Sequence, residues 1–173
     1  MTLPNRIAVI GLGYVGLPLA IALAHHFDVV GIDRKAARVA ALKGGRDDTR
    51  EVSDDALRST RAQLSDDPAA MDGADLFIVT VPTPVLDDNT PDLGAVEAAM
   101  RSVGACLKPG ATVVLESTVY PGVTEEVCGP ILEAESGLTC GRDFFLGYSP
   151  ERMNPGDRQH TLADITKIVA GLA

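Results

Sequence analysis

The sequence has no tryptophan, and its rings are limited to three tyrosines and four phenylalanines among 173 residues. Alanine, valine and leucine must therefore fill the interior, which suits helices packed closely on a sheet. Basic residues are also scarce, with 15 Lys and Arg against 24 Asp and Glu and a formal charge of −9. That balance excludes nucleic acid and anionic membrane as partners held by a basic surface. Cysteine is limited to Cys106, Cys128 and Cys140, with no CxxC pair or ligand spacing. Neither a disulfide framework nor a metal site is expected, and the three thiols read as small buried hydrophobes in a reducing cytosol. No apolar run reaches the length of a membrane span, and the opening MTLPNR lacks the apolar stretch of a signal peptide. A cytoplasmic protein is expected. The hydrophobic fraction of 46% is enough for one well-buried domain over 1–173.

What the sequence does contain is organised around Ile7–Gly16, IAVIGLGYVG. A short β-branched run meets Gly11-Leu-Gly13-Tyr-Val-Gly16, and an Ala/Leu-rich segment from Leu17 to Ala24 follows. Strand, glycine turn and helix in that order is the setting in which G-x-G-x-x-G binds a dinucleotide. Gly11 allows the turn, Gly13 lets the backbone approach a pyrophosphate, and Gly16 lets the helix pack on the strand. The helix N-terminus offers N–H groups and a partial positive charge to the phosphates. Asp33 closes a second apolar run, Val29–Ile32, where the ribose-binding acid is expected. A carboxylate there accepts from ribose hydroxyls and repels a 2′-phosphate, so NAD is expected rather than NADP. Arg34 follows at once and is read either as a guanidinium able to meet a 2′-phosphate, against that preference, or as packing on the adenine face.

Further along, Lys35–Lys43 reads as a helix stopped by Gly44-Gly45, and a short helix is expected from Ser53-Asp54. The pairs Asp47-Asp48, Asp54-Asp55 and Asp66-Asp67 read as solvated turns and helix caps. Asp75–Val81 is an apolar strand ended by Pro82-Thr83-Pro84, and Asp92 precedes a helix over about Leu93–Leu107. A strand over Ala111–Leu115, a turn at Glu116–Gly122, a helix over Val123–Glu135 and a strand over Phe144–Tyr148 come next. A last strand is expected from Lys167–Val169. Strands alternating with helices predict an α/β, doubly wound, mostly parallel sheet. Such sheets bind ligands beyond the carboxyl ends of their strands, where Thr80–Pro84, Glu116–Gly122 and Tyr148–Asp157 all fall. Proline at position 82 removes a donor and fixes φ, so the chain turns rather than continuing the ladder. Ser117 and Thr118 offer hydroxyls at a strand end, with an N-cap as the alternative role for Ser117. Glu151, in a loop after an apolar strand, is the candidate general base. Arg152 is read either as a contact to a substrate anion or as one half of a surface ion pair.

GLGYVGLPLA, TVPTP, ESTVYPG and GYSPERMNPGD, in this order and at these separations, resemble the UDP-glucose/GDP-mannose dehydrogenase family, in its N-terminal NAD-binding domain. The SPERMNPGD variant is most similar to bacterial UDP-N-acetylglucosamine and UDP-N-acetylgalactosamine 6-dehydrogenases. Enzymes acting on UDP-glucose carry a second glutamate four positions after the first, where this chain has Pro155. The resemblance implies a Rossmann-like domain that binds NAD through Gly11, Gly13, Tyr14, Val15, Gly16, Asp33, Arg34, Val81, Pro82, Thr83, Ser117 and Thr118. It implies that Thr118 helps hold a catalytic water, that Glu151 serves hydrolysis of a thioester, and that Glu151, Arg152 and Asn154 face the UDP-sugar.

Relatives of this kind oxidise the sugar C6 alcohol to a carboxylate with two NAD in succession, through a cysteine-bound thioester. Their nucleophilic cysteine, lysine and asparagine or aspartate lie beyond the matched stretch, so none of the three cysteines here is expected to serve. Together with their central dimerisation helix, this implies a longer dehydrogenase that forms a homodimer. The present chain alone is expected to be inactive and a monomer or weak dimer. Two other readings remain: a stand-alone NAD-binding regulatory module, and the N-terminal domain of a β-hydroxyacid dehydrogenase. The latter family usually has methionine where Val15 stands, and it lacks SPERMNPG.

Overall fold

The computed structural model describes residues 3–152 and 167–172. Seven strands form one sheet in the order β3-β2-β1-β4-β5-β6-β7. The strands are β1 (Arg6–Ile10), β2 (Asp28–Ile32), β3 (Gln63–Ser65), β4 (Leu76–Val79), β5 (Thr112–Leu115), β6 (Phe145–Tyr148) and β7 (Ala170–Leu172). All neighbours are parallel except β6 and β7. The doubly wound, mostly parallel sheet read from the sequence is what forms.

Both faces of the sheet are covered, so the strands are apolar throughout and successive residues enter opposite cores. In β1, Ile7 and Val9 pack with α1 (Gly16–Leu23) and α2 (Ala36–Lys43). Ala8 and Ile10 pack with α4 (Gly94–Cys106) and α5 (Gly129–Ser136). Phe77 of β4 and Phe144 before β6 are fully buried on that second side, each contributing about 1.5–3 kcal/mol through burial. With no tryptophan, these two rings are the bulkiest buried side chains of that layer.

The short helix α3 (Asp54–Ser59) begins where expected, the Ser53 hydroxyl accepting from the Ala56 N–H at 3.2 Å. Asp92 accepts from the Gly94 N–H at 2.8 Å and so orders the start of α4.

Five features depart from the sequence reading. Strand β3 lies in a stretch with no strand signal. Leu64 alone is buried, and the element exists because β2 pairs it from Val30↔Gln63 to Ile32↔Ser65. The helix expected over Val123–Glu135 is two pieces, a π-wound turn at Val123–Cys128 and then α5. Winding changes beside Pro130, which cannot donate a hydrogen bond to the preceding turn. The last strand begins at Ala170 rather than Lys167, and it is antiparallel. Asp47 is buried rather than solvated, with its carboxylate 1% exposed against Arg38. Cys106 and Cys128 are buried as expected, whereas Cys140 is only partly covered.

Candidate functional site

The order 3-2-1-4-5-6 makes β1 and β4 the pair from which the chain winds away in both directions. The crevice at their carboxyl ends is where such sheets take ligands. A cavity of about 550 Å³ lies there. One flank comes from the turn after β1, the end of β2 and α2. The other comes from the loops after β4, β5 and β6.

The glycine turn is built by tight packing. Gly11 has φ +97°, and a Cβ on it would stand 2.9 Å from the Thr80 carbonyl oxygen. A Cβ on Gly16 would lie inside the Gly11 carbonyl oxygen and against the Thr80 hydroxyl, so only glycine allows α1 to start here. The buried Thr80 hydroxyl lies 3.0 and 2.8 Å from the carbonyls of Ile10 and Gly11 and so ties β4 to the turn. At Gly13 nothing stands within 4 Å of the corresponding position, and the residue lines the cavity. Tyr14 and Val15 line it too. Helix α1 has neither a side-chain cap at Val15 nor an acid in its first turn, so its N-terminal charge faces the cavity uncompensated.

Leu12, the unremarkable residue between the first two glycines, is the pivot of this flank. Its N–H donates to Asp33 Oδ2 at 3.0 Å, and its carbonyl accepts from Arg38 Nε and Nη2 at 3.0 and 2.9 Å. Its side chain is fully buried, and a Cβ on Gly31 would meet it at 2.8 Å. The other Asp33 oxygen accepts from the Lys35 N–H at 2.9 Å, which fixes the carboxylate against the cavity. Arg34 also lines this flank and is exposed. Arg38 is clamped by Asp47 at 2.7 Å, and its Nη1 is buried with no partner among the described residues. Burial pushes the Asp47 carboxyl up, but hydrogen bonds from Thr49, Arg38 and the Val52 N–H outweigh it and hold it below the ordinary 3.8.

On the opposite flank two loops are clasped by a reciprocal pair of bonds. The Ser117 hydroxyl donates to the Val81 carbonyl at 2.6 Å, and the Thr83 hydroxyl donates to the Thr118 carbonyl at 2.7 Å. Ser117 therefore braces the loops. The cap of the following helical turn is Gly122, without a side-chain bond. Val81, Pro82, Thr83, Ser117 and Thr118 all line the cavity, with Thr118 exposed on its wall. Glu151 lines it as well, half-buried, with Oε1 accepting from the Arg152 N–H at 2.6 Å. Arg152 is exposed and stands outside the lining, and Asn154 lies outside the described residues.

The sequence reading missed Arg38 at this site, and it placed Thr80 and Glu116 in the strand-end motifs without giving either a role. Glu116 is buried on the cavity wall and pairs with Lys167 at 2.6 Å. A signal existed for it, since an acid ends an apolar strand at Glu116 as it does at Asp33. None of the three cysteines is activated. Burial, reinforced by Glu125 and Glu97, pushes the Cys128 thiol up to about 12, and burial raises Cys106 and Cys140 as well.

Residues 5–173 match the family model described as the UDP-glucose/GDP-mannose dehydrogenase family, NAD binding domain. The chain belongs to this family. Protein CapL of Staphylococcus aureus is 48% identical over 96% of the chain and 39% of its own length. A Pseudomonas aeruginosa UDP-N-acetyl-D-glucosamine 6-dehydrogenase is 46% identical over 96% of the chain and 40% of its own length. Among solved structures, the UDP-D-ManNAc dehydrogenase of Pyrococcus horikoshii superposes with a TM-score of 0.85 at 35% identity. That superposition covers 96% of this chain and 41% of the other. The chain thus spans about two fifths of the length of the relatives it matches, and within the family it corresponds to the Rossmann domain that binds NAD. Among the described residues no helix is long and apolar enough to cross a membrane, and no cluster of His, Cys, Asp and Glu could hold a metal.

Proposed function

We propose that the chain is the cofactor-binding part of a nucleotide-sugar 6-dehydrogenase that oxidises the C6 alcohol of a UDP-N-acetylhexosamine to the uronic acid with two NAD. The observation that carries this is the cavity at the β1/β4 crossing. There an open cradle at Gly13, an uncapped helix N-terminus and a braced carboxylate at Asp33 face one space. The 46% identity to UDP-N-acetyl-D-glucosamine 6-dehydrogenases over 96% of the chain supports the substrate class. We assign the uronic acid product, the homodimeric full-length enzyme and the cytoplasmic location on the same ground. Three unbonded thiols agree with a reducing compartment.

In this reading Gly13 and the N–H groups at the start of α1 would hold the pyrophosphate, the helix dipole offsetting its charge without a lysine. The Asp33 carboxylate accepts from the ribose hydroxyls, and Arg38 lines the cavity on the same flank. Arg34 covers the adenine side. When bound, NAD supplies the hydride acceptor. The Ser117–Val81 and Thr83–Thr118 clasp sets the width of the slot for its reactive ring, with Tyr14, Val15 and Pro82 as walls. Thr118 and Glu151 line the same cavity, and in this reading the hydroxyl orients water and the carboxylate takes its proton. We assign Arg152 and Asn154 to the sugar nucleotide on the family resemblance alone. The nucleophile comes from another part of the enzyme, so the chain alone binds NAD weakly and does not oxidise UDP-sugars.

Titration calorimetry of the chain with NAD and NADP tests the reading. NAD should bind, and NADP should bind at least about tenfold more weakly because Asp33 repels a 2′-phosphate. Tighter binding of NADP overturns the role of Asp33, and no binding of either overturns the reading.

A further inference from the structure

Five acidic side chains line the cavity: Asp33, Asp48, Asp66, Glu116 and Glu151. Four are committed within the chain. Asp33 holds the Leu12 and Lys35 N–H groups, Asp48 pairs with Arg46, Glu116 pairs with Lys167, and Glu151 accepts from Arg152. The Asp66 carboxylate alone has no hydrogen bond or ion pair among the described residues. Its neighbour Asp67 caps the 3₁₀ turn Pro68–Met71 through the Ala69 N–H at 2.9 Å. Asp66 is therefore not needed to start that turn.

The position of Asp66 gives the carboxylate a use. The Asp33 N–H donates to the Ser65 carbonyl at 3.1 Å, and Ser65 is the register partner of Ile32. Asp66 thus leaves β3 beside Asp33 leaving β2, at the same end of the sheet. Next to it the cavity wall is apolar: Pro68 and Met71 of the 3₁₀ turn, and Ala95 and Ala99 of α4. The Ser102 hydroxyl on that wall donates back to the Ala98 carbonyl at 3.1 Å, so its hydrogen is taken. A slot with apolar faces and an uncommitted acceptor at its edge, adjoining a ribose-binding carboxylate, matches a planar base that carries a donor on its rim.

We propose that Asp66 accepts a hydrogen bond from the exocyclic N6 amino group of the adenine and so selects a 6-amino purine over a 6-oxo purine. The proposal rests on the assignment of NAD to this cavity. A carboxylate has acceptors only, so an amino group is attracted and a carbonyl oxygen in the same place is repelled.

Binding of NAD and of nicotinamide hypoxanthine dinucleotide, measured by calorimetry on the wild-type chain and on Asp66→Asn, tests it. The wild type should prefer NAD by about 5–30-fold, the range of a charge-assisted hydrogen bond at a partly hydrated site. Asp66→Asn should bring the two within about threefold, because an amide can present either an acceptor or a donor. It should also weaken NAD and strengthen the hypoxanthine analogue, with an unchanged melting temperature. Equal binding of both by the wild type, or an unchanged preference in Asp66→Asn, overturns the proposal while leaving NAD binding in place. Failure of NAD to bind at all removes the cavity assignment and this proposal with it.

Discussion

The two flanks of the cavity are held by different forces. The glycine flank is rigid because atoms exclude one another and a charge is buried. Gly11 and Gly16 leave no room for a side chain, Leu12 is bonded through both backbone groups, and the Arg38–Asp47 pair seals the outside. The loop flank has a buried pair of its own, Glu116 with Lys167, but no backbone exclusion of this kind holds its loops. Its loops are joined by two hydroxyls reaching carbonyls across the gap between β4 and β5. Steric exclusion is all or nothing, whereas a hydrogen bond between protein groups contributes only about 0.5–1.5 kcal/mol net. Changes on the first flank should break the fold, and changes on the second should loosen the site.

The sharpest contrast lies within the glycine motif. Gly16→Val should destabilise the chain by more than about 4 kcal/mol or prevent folding, since its Cβ would occupy the place of a backbone oxygen. Gly13→Val has open space around it and should fold within about 1 kcal/mol of the wild type, while NAD binding falls beyond detection. Urea denaturation and calorimetry on both variants would separate the two. A stable Gly16→Val, or a Gly13→Val that still binds, would erase the distinction.

Next in size is Asp47→Ala, which leaves Arg38 buried and unpaired and should cost about 3–5 kcal/mol. Asp47 also gives this flank a dependence on pH. Its folded pKa is depressed below the ordinary 3.8, so its contribution is complete above that value. The contribution is lost as pH falls through the folded value. Acid titration of stability should therefore show a decline below about pH 4 that flattens in Asp47→Asn. An identical acid profile in the two proteins would mean that the pair adds nothing.

Smaller effects belong to the loop flank. Ser117→Ala leaves the buried side of the Val81 carbonyl without its donor and should cost about 1–2 kcal/mol. Thr83→Val, at a half-exposed position where water can replace the hydroxyl, should cost about 0.5 kcal/mol or less. Each should weaken NAD several-fold more than its stability loss alone would, and a double-mutant cycle would show whether the two bonds act together. In the full-length enzyme, Glu151→Gln should lower turnover by about 10²–10⁴-fold with the hydride steps less affected. Normal turnover would reduce Glu151 to a loop anchor.

The sequence by itself determined the winding of the sheet and the place of the cavity. Both are set by local patterns: β-branched runs, glycine spacing, and acids or prolines that end strands. Gly11, Gly13 and Gly16 were legible because a turn that binds phosphate tolerates nothing else there, and Asp33 because it ends an apolar run at the right distance. Tertiary structure alone decided the rest. Strand β3 has a single buried leucine and exists because β2 offers it an edge. Arg38 sits among alanines in α2 and Asp47 in a polar loop, and only folding brings them together under Leu12. Ser117 and Thr83 are far apart in sequence, and their clasp appears only once parallel pairing of β4 and β5 sets the two strand ends side by side. The physical reason is common to these cases. Periodicity reports which face of an element meets water, whereas a bond across the site depends on how the strand ends are brought together, which no local pattern encodes.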